Sequence, residues 1–382
     1  MGRNVALVVA AGSGSRMGGA LPKQFQSLGG VPVLRRAVAA FAHHPRIDEV
    51  CVVVAEGCVD DAVRSIGDGY GDVRPLIGGA TRGESVRNGL DAIDGATVLI
   101  HDAARPFCPA EVIDRLLDAL EDHPGAVPVL PVHDTLARGT LVLGETIDRE
   151  GAVRLQTPQA FRLGSIKAAY DDWQGPYPSD DSAVARAAGL DVAMVAGAPE
   201  LDKLTTPQDW RRAEEMVARR MISRTGLGFD VHAFAGEGPI MLGGIAIPHE
   251  RGLAGHSDAD VVLHALTDAL LGAAGLGDIG AHFPPSDPQW RGAASERFLL
   301  HAAALIGTRG GIVDHVDCTI ICEAPKVGPY RDAMRARIAQ ILALGIGQVS
   351  IKATTTEGLG FAGRREGIAA QAIATVRMET GT

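Results

Sequence analysis

The sequence predicts an α/β protein of two domains. One is an N-terminal Rossmann-like sheet with helices on both faces over residues 1–222; the other is a smaller C-terminal α/β (α+β) domain over 223–382. Three observations lead there. From residue 5 to about residue 200, short Val/Ile/Leu runs alternate with stretches whose apolar residues recur at helical spacing. At Ser223-Arg224-Thr225-Gly226 a second series of strands and helices begins, with no repeat, low-complexity tract or long linker before it. The length of 382 residues suits two or three domains at roughly 150 residues each.

In chain order, Leu7–Ala11 reads as a buried strand, and further strands are expected at 50–54, 97–101, 126–130 and 192–196. Helical spacing covers 32–42, 82–93, 110–121 and 207–221, the last closed by Arg219-Arg220, which suit the negative end of a helix dipole. Such alternation implies a mostly parallel sheet whose ligands gather at the carboxyl ends of its strands. The second series gives strands at 226–232, 312–322, 348–354 and 367–377, with helices at 259–274, 294–306 and 330–343.

Composition excludes several classes. Apolar residues make up 46%, enough for real cores, yet no run approaches the roughly 18 uncharged apolar residues of a membrane span. A net charge of −10 without a Lys/Arg cluster argues against nucleic acid as a partner. The five cysteines form no Cys-x-x-Cys pair, and Cys318 and Cys322, on one face of an expected strand, read as reduced core residues. Residues 3–11 have the charge-then-apolar look of a secretory signal, but the apolar part is short and leads into a phosphate-type loop. The expected compartment is the cytoplasm. Only five of the 36 basic residues are lysines, and Lys23, Lys203, Lys326 and Lys352 all fall inside motifs, as expected where a compact ammonium is required.

The loop after the first strand, Gly12-Ser13-Gly14-Ser15-Arg16-Met17-Gly18-Gly19, is followed by Pro22-Lys23-Gln24. Gly12 and Gly14 let backbone N–H groups approach phosphate oxygens, and Arg16 and Lys23 supply cations for a polyphosphate. A P-loop is excluded because Ala20-Leu21 follows Gly19, and the dinucleotide fingerprint fails at Met17. The remaining pattern resembles nucleotidyltransferases that couple a sugar phosphate to a nucleoside triphosphate. His101-Asp102-Ala103-Ala104-Arg105-Pro106 follows a strand; Gly78–Val86 is a Gly-rich turn entering a helix; Leu201-Asp202-Lys203 delivers a lysine just before one. Asp134-Thr135 and Asp148-Arg149 lie in a region suited to an accessory arm.

In this order the motifs resemble the 2-C-methyl-D-erythritol 4-phosphate cytidylyltransferase family over roughly residues 3–220. The resemblance implies attack of the alcohol phosphate on the α-phosphate of CTP with loss of pyrophosphate. Arg16, Lys23 and Lys203 would stabilise the charge, and Mg²⁺ or Mn²⁺ would clamp the triphosphate. Gly79 and Ser85 would hold the cytosine, and Asp102, Arg105, Thr135 and Arg149 the methylerythritol phosphate. Ser179 stands where that family more often has threonine.

In the second half, Asp230 and His232 lie two apart on a strand, hence on one face, and His264 follows from a helix. An Asp/His/His set with an open fourth position is the arrangement of a catalytic zinc. Gly255-His256-Ser257-Asp258-Ala259-Asp260 enters that helix, with Ser257 or Asp258 as its cap, and Gly277-Asp278 leaves it. Lys352-Ala353-Thr354-Thr355-Thr356-Glu357 adds hydroxyls and a carboxylate, followed by Phe361 and Arg364.

These motifs resemble the 2-C-methyl-D-erythritol 2,4-cyclodiphosphate synthase family over about residues 224–379. The resemblance implies a trimer with shared active sites and a ring closure in which the 2-phosphate attacks the β-phosphate and CMP leaves. Zinc or a similar divalent ion would sit on Asp230, His232 and His264, with a second divalent ion near Glu357. His256, Ser257 and Thr355 would orient phosphates, and Asp278, Lys326, Phe361 and Arg364 would contact the substrate. Pro285, and the small residues after Lys326, depart from that family's pattern. The two resemblances together imply two non-consecutive steps of the non-mevalonate isoprenoid route, with the kinase step between them left to another protein. Alternatives are a different sugar-phosphate nucleotidyltransferase, a zinc phosphoesterase, or a silent scaffold.

Overall fold

The computed structural model describes residues 2–12, 21–67, 69–175, 178, 180–284, 288–290 and 292–379. The chain divides into two compact units, Met1–Glu215 and Met216–Thr382. Helix Pro207–Arg220 spans that division, and strand Met221–Ala235 follows it directly.

The first unit is built on an eight-stranded sheet. Asn4–Val9 lies at its centre, parallel to both Glu49–Val54 and Thr97–Asp102, and Val73–Ile77 continues the parallel array beyond Glu49–Val54. On the other side, Gln159–Arg162 runs antiparallel between Thr97–Asp102 and Gly125–Pro131. Gly125–Pro131 also pairs antiparallel with Val153–Leu155 and parallel with Val192–Ala196.

The central strands are apolar without interruption because both faces are covered. Ala6, Val8, Val50, Val52, Val54 and Leu99 face one layer, where Leu34 and Phe41, Ile66, and Ile113 and Leu116 descend from helices Val33–Ala42, Val59–Ile66 and Ala110–Ala119. Their neighbours Val5, Leu7, Cys51, Val53, Val98 and Ile100 face the other, packed by Val86 and Leu90, Ile166, and Val184 from helices Arg82–Asp91, Leu163–Asp171 and Asp181–Ala187. Fully burying one such Leu, Ile or Phe contributes about 1.5–3 kcal/mol.

The helices Val59–Ile66, Leu163–Asp171 and Asp181–Ala187 and the strand Val73–Ile77 are additions to the sequence expectation. That strand carries Arg74 and Pro75, which mask its pattern and suit an edge position.

In the second unit five strands lie in the order Gly252–Leu253, Met221–Ala235, Gly367–Glu379, Ile312–Ile321, Val349–Thr354. All neighbours are antiparallel except the last pair. Helices Val261–Ala274, Glu296–Thr308 and Arg331–Leu342 share one apolar core with the sheet.

One face of Met221–Ala235 positions that unit's chemistry. Gly226, Gly228, Asp230, His232 and Phe234 alternate on it. A Cβ on Gly226 would stand 2.1 Å from the Ala269 carbonyl oxygen, and one on Gly228 would stand 1.9 Å from that of Ala265. Two strand residues advance about 6.7 Å and four helix residues about 6 Å, so the two glycines meet successive turns of Val261–Ala274. This close approach brings the helix's amino-terminal turn, with His264, down to Asp230 and His232.

Gly228→Ala is therefore expected to destabilise the second unit by about 1–3 kcal/mol, because backbone must move to admit the methyl. Gly272→Ala, in the same helix with nothing within 4 Å of an added Cβ, should be neutral or stabilising by up to about 1 kcal/mol. Urea unfolding of the two variants beside the parent checks both signs.

Candidate active sites

A cleft of about 480 Å³ opens at the carboxyl ends of Asn4–Val9 and Thr97–Asp102. Gly12, Lys23, Gly79, Ser85, Asp102 and Lys203 line it, as expected for six of the predicted residues, and Arg82 and Thr205 join them. Gly14 and Arg16 lie outside the described residues, as do Ser179 and Pro285. Buried Gln24 shapes the start of the glycine loop by donating to the carbonyls of Ala10 at 2.7 Å and Gly12 at 3.0 Å. Lys23 Nζ donates to the Leu204 carbonyl at 2.8 Å, which ties it to the segment carrying Lys203.

The Gly-rich turn owes its shape to the helix it enters. Thr81 caps Arg82–Asp91 by accepting from the Glu84 amide, and the Glu84 carboxylate accepts from the Ala80 amide at 2.8 Å. Ser85 Oγ accepts from the Gly79 amide at 3.1 Å and donates to the Thr81 carbonyl at 2.8 Å. Its hydroxyl thus sets the turn's geometry from within.

Asp102 is the hub of the cleft. Its Oδ2 lies 2.6 Å from Lys203 Nζ, and its Oδ1 lies 2.9 Å from Arg82 Nε. Arg82 in turn donates to both oxygens of fully buried Asp181, at 3.1 and 2.8 Å, and the Tyr170 hydroxyl donates to Asp181 at 2.6 Å. Burial works to raise the Asp102 pKa, but Arg82 and Lys203 outweigh it and hold the carboxyl far below its usual range. Burial likewise pulls at Arg82, and its two carboxylates overcome that pull and keep it charged. Arg82, Tyr170 and Asp181 were not among the predicted site residues. Their roles depend on a partner 99 positions away for Arg82, and no local motif shows that.

Arg105, Thr135 and Arg149 do not line the cleft. Arg105 is half-buried on the turn after Thr97–Asp102; its Nη1 donates to the Leu201 carbonyl and its buried Nε has no partner among the described residues. Thr135 and Arg149 are exposed at either end of the hairpin Leu136–Gly139/Leu143–Ile147, where Arg149 donates to the His133 carbonyl.

In the second unit the structure brings Asp230, His232 and His264 together. His232 Nε2 is 2.9 Å and His264 Nδ1 3.0 Å from Asp230 Oδ2, and the two nitrogens are 3.1 Å apart. The far side of each ring fixes its tautomer. His232 Nδ1 faces the Ala254 carbonyl, which only accepts; His264 Nε2 faces the hydroxyls of Ser295 at 2.8 Å and Ser257 at 3.0 Å. With those nitrogens protonated, three lone-pair atoms form a triangle that needs a positive charge at its centre. Tetrahedral ligand bonds of about 2.0–2.1 Å place ligand atoms roughly 3.3 Å apart, so the triangle fits a divalent cation. Burial works to raise the Asp230 pKa and to lower that of His232. Their mutual contact wins on both sides, moving Asp230 down and His232 up.

Other predicted residues are placed differently. The helix cap is Asp260, fully buried and accepting from Val262, Leu263, Gly243 and Gly244, rather than Ser257 or Asp258. Asp258 instead accepts from the amide and hydroxyl of Ser295. Asp278 caps the turn Ile279–His282. Glu357 stands on an exposed turn at φ +53°, accepts from Thr355 Oγ1 at 2.6 Å, and is no member of the Asp230 cluster. Arg364 is exposed and held by both oxygens of Glu366, each at 2.9 Å. His256, Lys326 and Phe361 are exposed.

Beside Asp102, His101 is fully buried and neutral: Nε2 donates to the Arg105 carbonyl at 2.9 Å while Nδ1 faces the Thr157 hydroxyl at 3.3 Å. Burial pushes its pKa down from 6.5 to about 4. Between those values the unfolded chain binds a proton that the folded chain refuses, so stability falls as pH drops, by about 3 kcal/mol across the window. His101→Gln should flatten that part of the pH dependence, measured by denaturant unfolding at a series of pH values.

Comparison with known proteins agrees with this geometry. The profile of the 2-C-methyl-D-erythritol 4-phosphate cytidylyltransferase family matches residues 4–219, and that of the YgbB family matches residues 223–377. A bifunctional enzyme IspD/IspF of Rhizorhabdus wittichii is 58% identical over 374 residues, covering 98% of this chain and 97% of its own. Its counterpart in Rhodospirillum rubrum is 50% identical over 383 residues, covering 99% and 100%. The solved structure of the bifunctional IspDF from Campylobacter jejuni matches at 32% identity and a TM-score of 0.52, covering 98% of both chains. The chain belongs to the bifunctional IspD/IspF family of the non-mevalonate isoprenoid pathway, with an N-terminal cytidylyltransferase domain and a C-terminal cyclodiphosphate synthase domain.

Proposed function

We propose that the first cleft transfers CMP from CTP to 2-C-methyl-D-erythritol 4-phosphate. The observation that carries this is the convergence of Lys23 and Lys203 with the backbone of Gly12 and Gly79 in one cleft. An oxygen of the alcohol phosphate forms the new bond to the α-phosphorus, the bond from that phosphorus to the β-phosphate oxygen breaks, and pyrophosphate leaves with the electron pair. Lys23, Lys203 and Arg16 offset the charge that builds on the phosphorus oxygens. Mg²⁺ or Mn²⁺, when bound with the triphosphate, neutralises its phosphates. The turn around Gly79, set by Ser85, receives the cytosine. Asp102 orients Lys203, and Arg105 is the residue for the acceptor phosphate, its Nε being a donor with no acceptor among the described residues. Thr135 and Arg149, on the exposed arm, reach this substrate only if the arm is carried to a cleft.

For the second unit we propose ring closure of 4-CDP-2-C-methyl-D-erythritol 2-phosphate. The 2-phosphate oxygen bonds to the β-phosphorus, and the bond from that phosphorus to the bridging oxygen breaks, releasing CMP. Asp230, His232 and His264 would hold Zn²⁺, which supplies Lewis-acid polarisation of a phosphoryl oxygen. Glu357 is the residue for a second divalent ion. Ser257, His256 and Thr355 orient the phosphates, with Asp278, Lys326, Phe361 and Arg364 as further substrate contacts. Lys23→Ala should abolish pyrophosphate release and spare cyclisation, and Asp230→Ala should do the reverse. Separate assays of pyrophosphate from CTP and of CMP with a cyclic product check this, and loss of both activities from either change would defeat independent sites.

We further propose a homo-oligomer, with a trimeric core formed by the C-terminal domain, working in the cytoplasm. The face of Met221–Ala235 opposite the metal residues exposes Leu227 by 60%, Phe229 by 55% and Val231 by 44%, with Ile373 paired across from Leu227. Such an apolar stripe is rarely left to water. The five cysteines are all unpaired, which suits a reducing compartment. Among the described residues no helix is long and apolar enough to cross a membrane. Leu227→Asp should shift the native mass toward single chains in light scattering coupled to size-exclusion chromatography.

A further inference from the structure

We propose that Ser295, backed by Asp258, is the positioning residue that makes His264 a metal ligand, and that this leaves Ser257 free to turn toward substrate. The inference rests on the reading that Asp230, His232 and His264 hold a divalent ion.

Ser295 is fully buried at the start of helix Glu296–Thr308. Its amide donates to both oxygens of Asp258, each at 3.2 Å, and its hydroxyl donates to Asp258 Oδ1. A carboxylate accepts only, so the single hydroxyl hydrogen of Ser295 is committed to it. Toward His264 Nε2, 2.8 Å away, Ser295 can then act only as an acceptor. Nε2 must carry the ring's hydrogen, and Nδ1, 3.0 Å from Asp230 and 3.1 Å from His232, must present a lone pair. The relay Asp258–Ser295–His264 thus sets both the tautomer and the plane of the ring, the task an outer partner performs for a ligating imidazole.

Ser257 lies in a different position. Its Oγ is 3.0 Å from the same Nε2, 3.3 Å from Ser295 Oγ, and accepts from the Ala259 amide at 3.1 Å. No carboxylate holds its hydrogen among the described contacts. One Nε2–H needs one acceptor, and Ser295 already serves. The Ser257 hydroxyl can rotate to a phosphate oxygen without disturbing the ring.

The test is the zinc affinity of the full-length chain, titrated with Zn²⁺ against a colorimetric chelator, together with the unfolding midpoint of each metal-free variant. Ser295→Ala and Asp258→Asn should each weaken zinc binding by about 10- to 100-fold, and Ser295→Thr, which keeps the hydroxyl, should restore most of it. Ser257→Ala should bind zinc within about threefold of the parent. A Ser295→Ala chain that folds and holds zinc as tightly as the parent overturns the inference. Equal weakening by Ser257→Ala and Ser295→Ala overturns it too. A parent chain that takes up no zinc overturns the underlying metal reading instead.

Discussion

A strand-borne carboxylate organises each unit, Asp102 at the end of Thr97–Asp102 and Asp230 within Met221–Ala235, and neither could be buried alone. Removing such an ion from water costs several kcal/mol, which nearby opposite charge or hydrogen-bond donors must offset. Asp102 is held by Arg82 from a helix start and by Lys203 from the segment ahead of helix Pro207–Arg220, and Arg82 needs Asp181 as its second counter-ion. The demand for charge balance therefore links a strand, two helices and the segment ahead of a third. Asp230 meets the same demand with two imidazoles, one on its own strand and one lowered from a helix.

The kind of counter-group separates the two chemistries. Guanidinium and ammonium groups carry only donors and keep their charge, so Lys23, Arg82 and Lys203 fit the first cleft for phosphate oxygens. Neutral imidazoles bring lone pairs, and with Asp230 they form a site that fits a divalent cation. In the proposed reactions, one unit would meet a polyphosphate with fixed side-chain charge and the other through an ion that its residues would recruit and orient.

Much of the fold was legible because doubly covered parallel strands are continuous apolar runs. Leu7–Ala11 and the runs ending at Val54 and His101 stood out for that reason. The helices Leu163–Asp171 and Asp181–Ala187 did not, being short segments whose helical state comes from packing on the sheet rather than from pattern. Antiparallel Gln159–Arg162 was hidden for the same reason, since a four-residue strand carries little period of its own. Among site residues, Lys23, Asp102, Lys203 and the Asp230–His232–His264 set were readable from type and spacing. Arg82 and Ser295 were not. Arg82 acts through Asp181, and Ser295 acts through Asp258 and His264, 37 and 31 positions away.

By itself the sequence determined which chemistry the chain carries, because glycines, lysines and an Asp-x-His pair state their capacities locally. Tertiary structure alone decided which of those groups meet. Arg105 came to rest beside the cleft rather than in it, and Asp260 took the cap that Ser257 or Asp258 was expected to fill. Gly226 and Gly228 let a helix descend far enough for His264 to reach a strand more than thirty positions earlier. Local spacing sets the direction of a side chain, whereas the distance between two side chains depends on how closely their elements pack, and that depends on every residue between them.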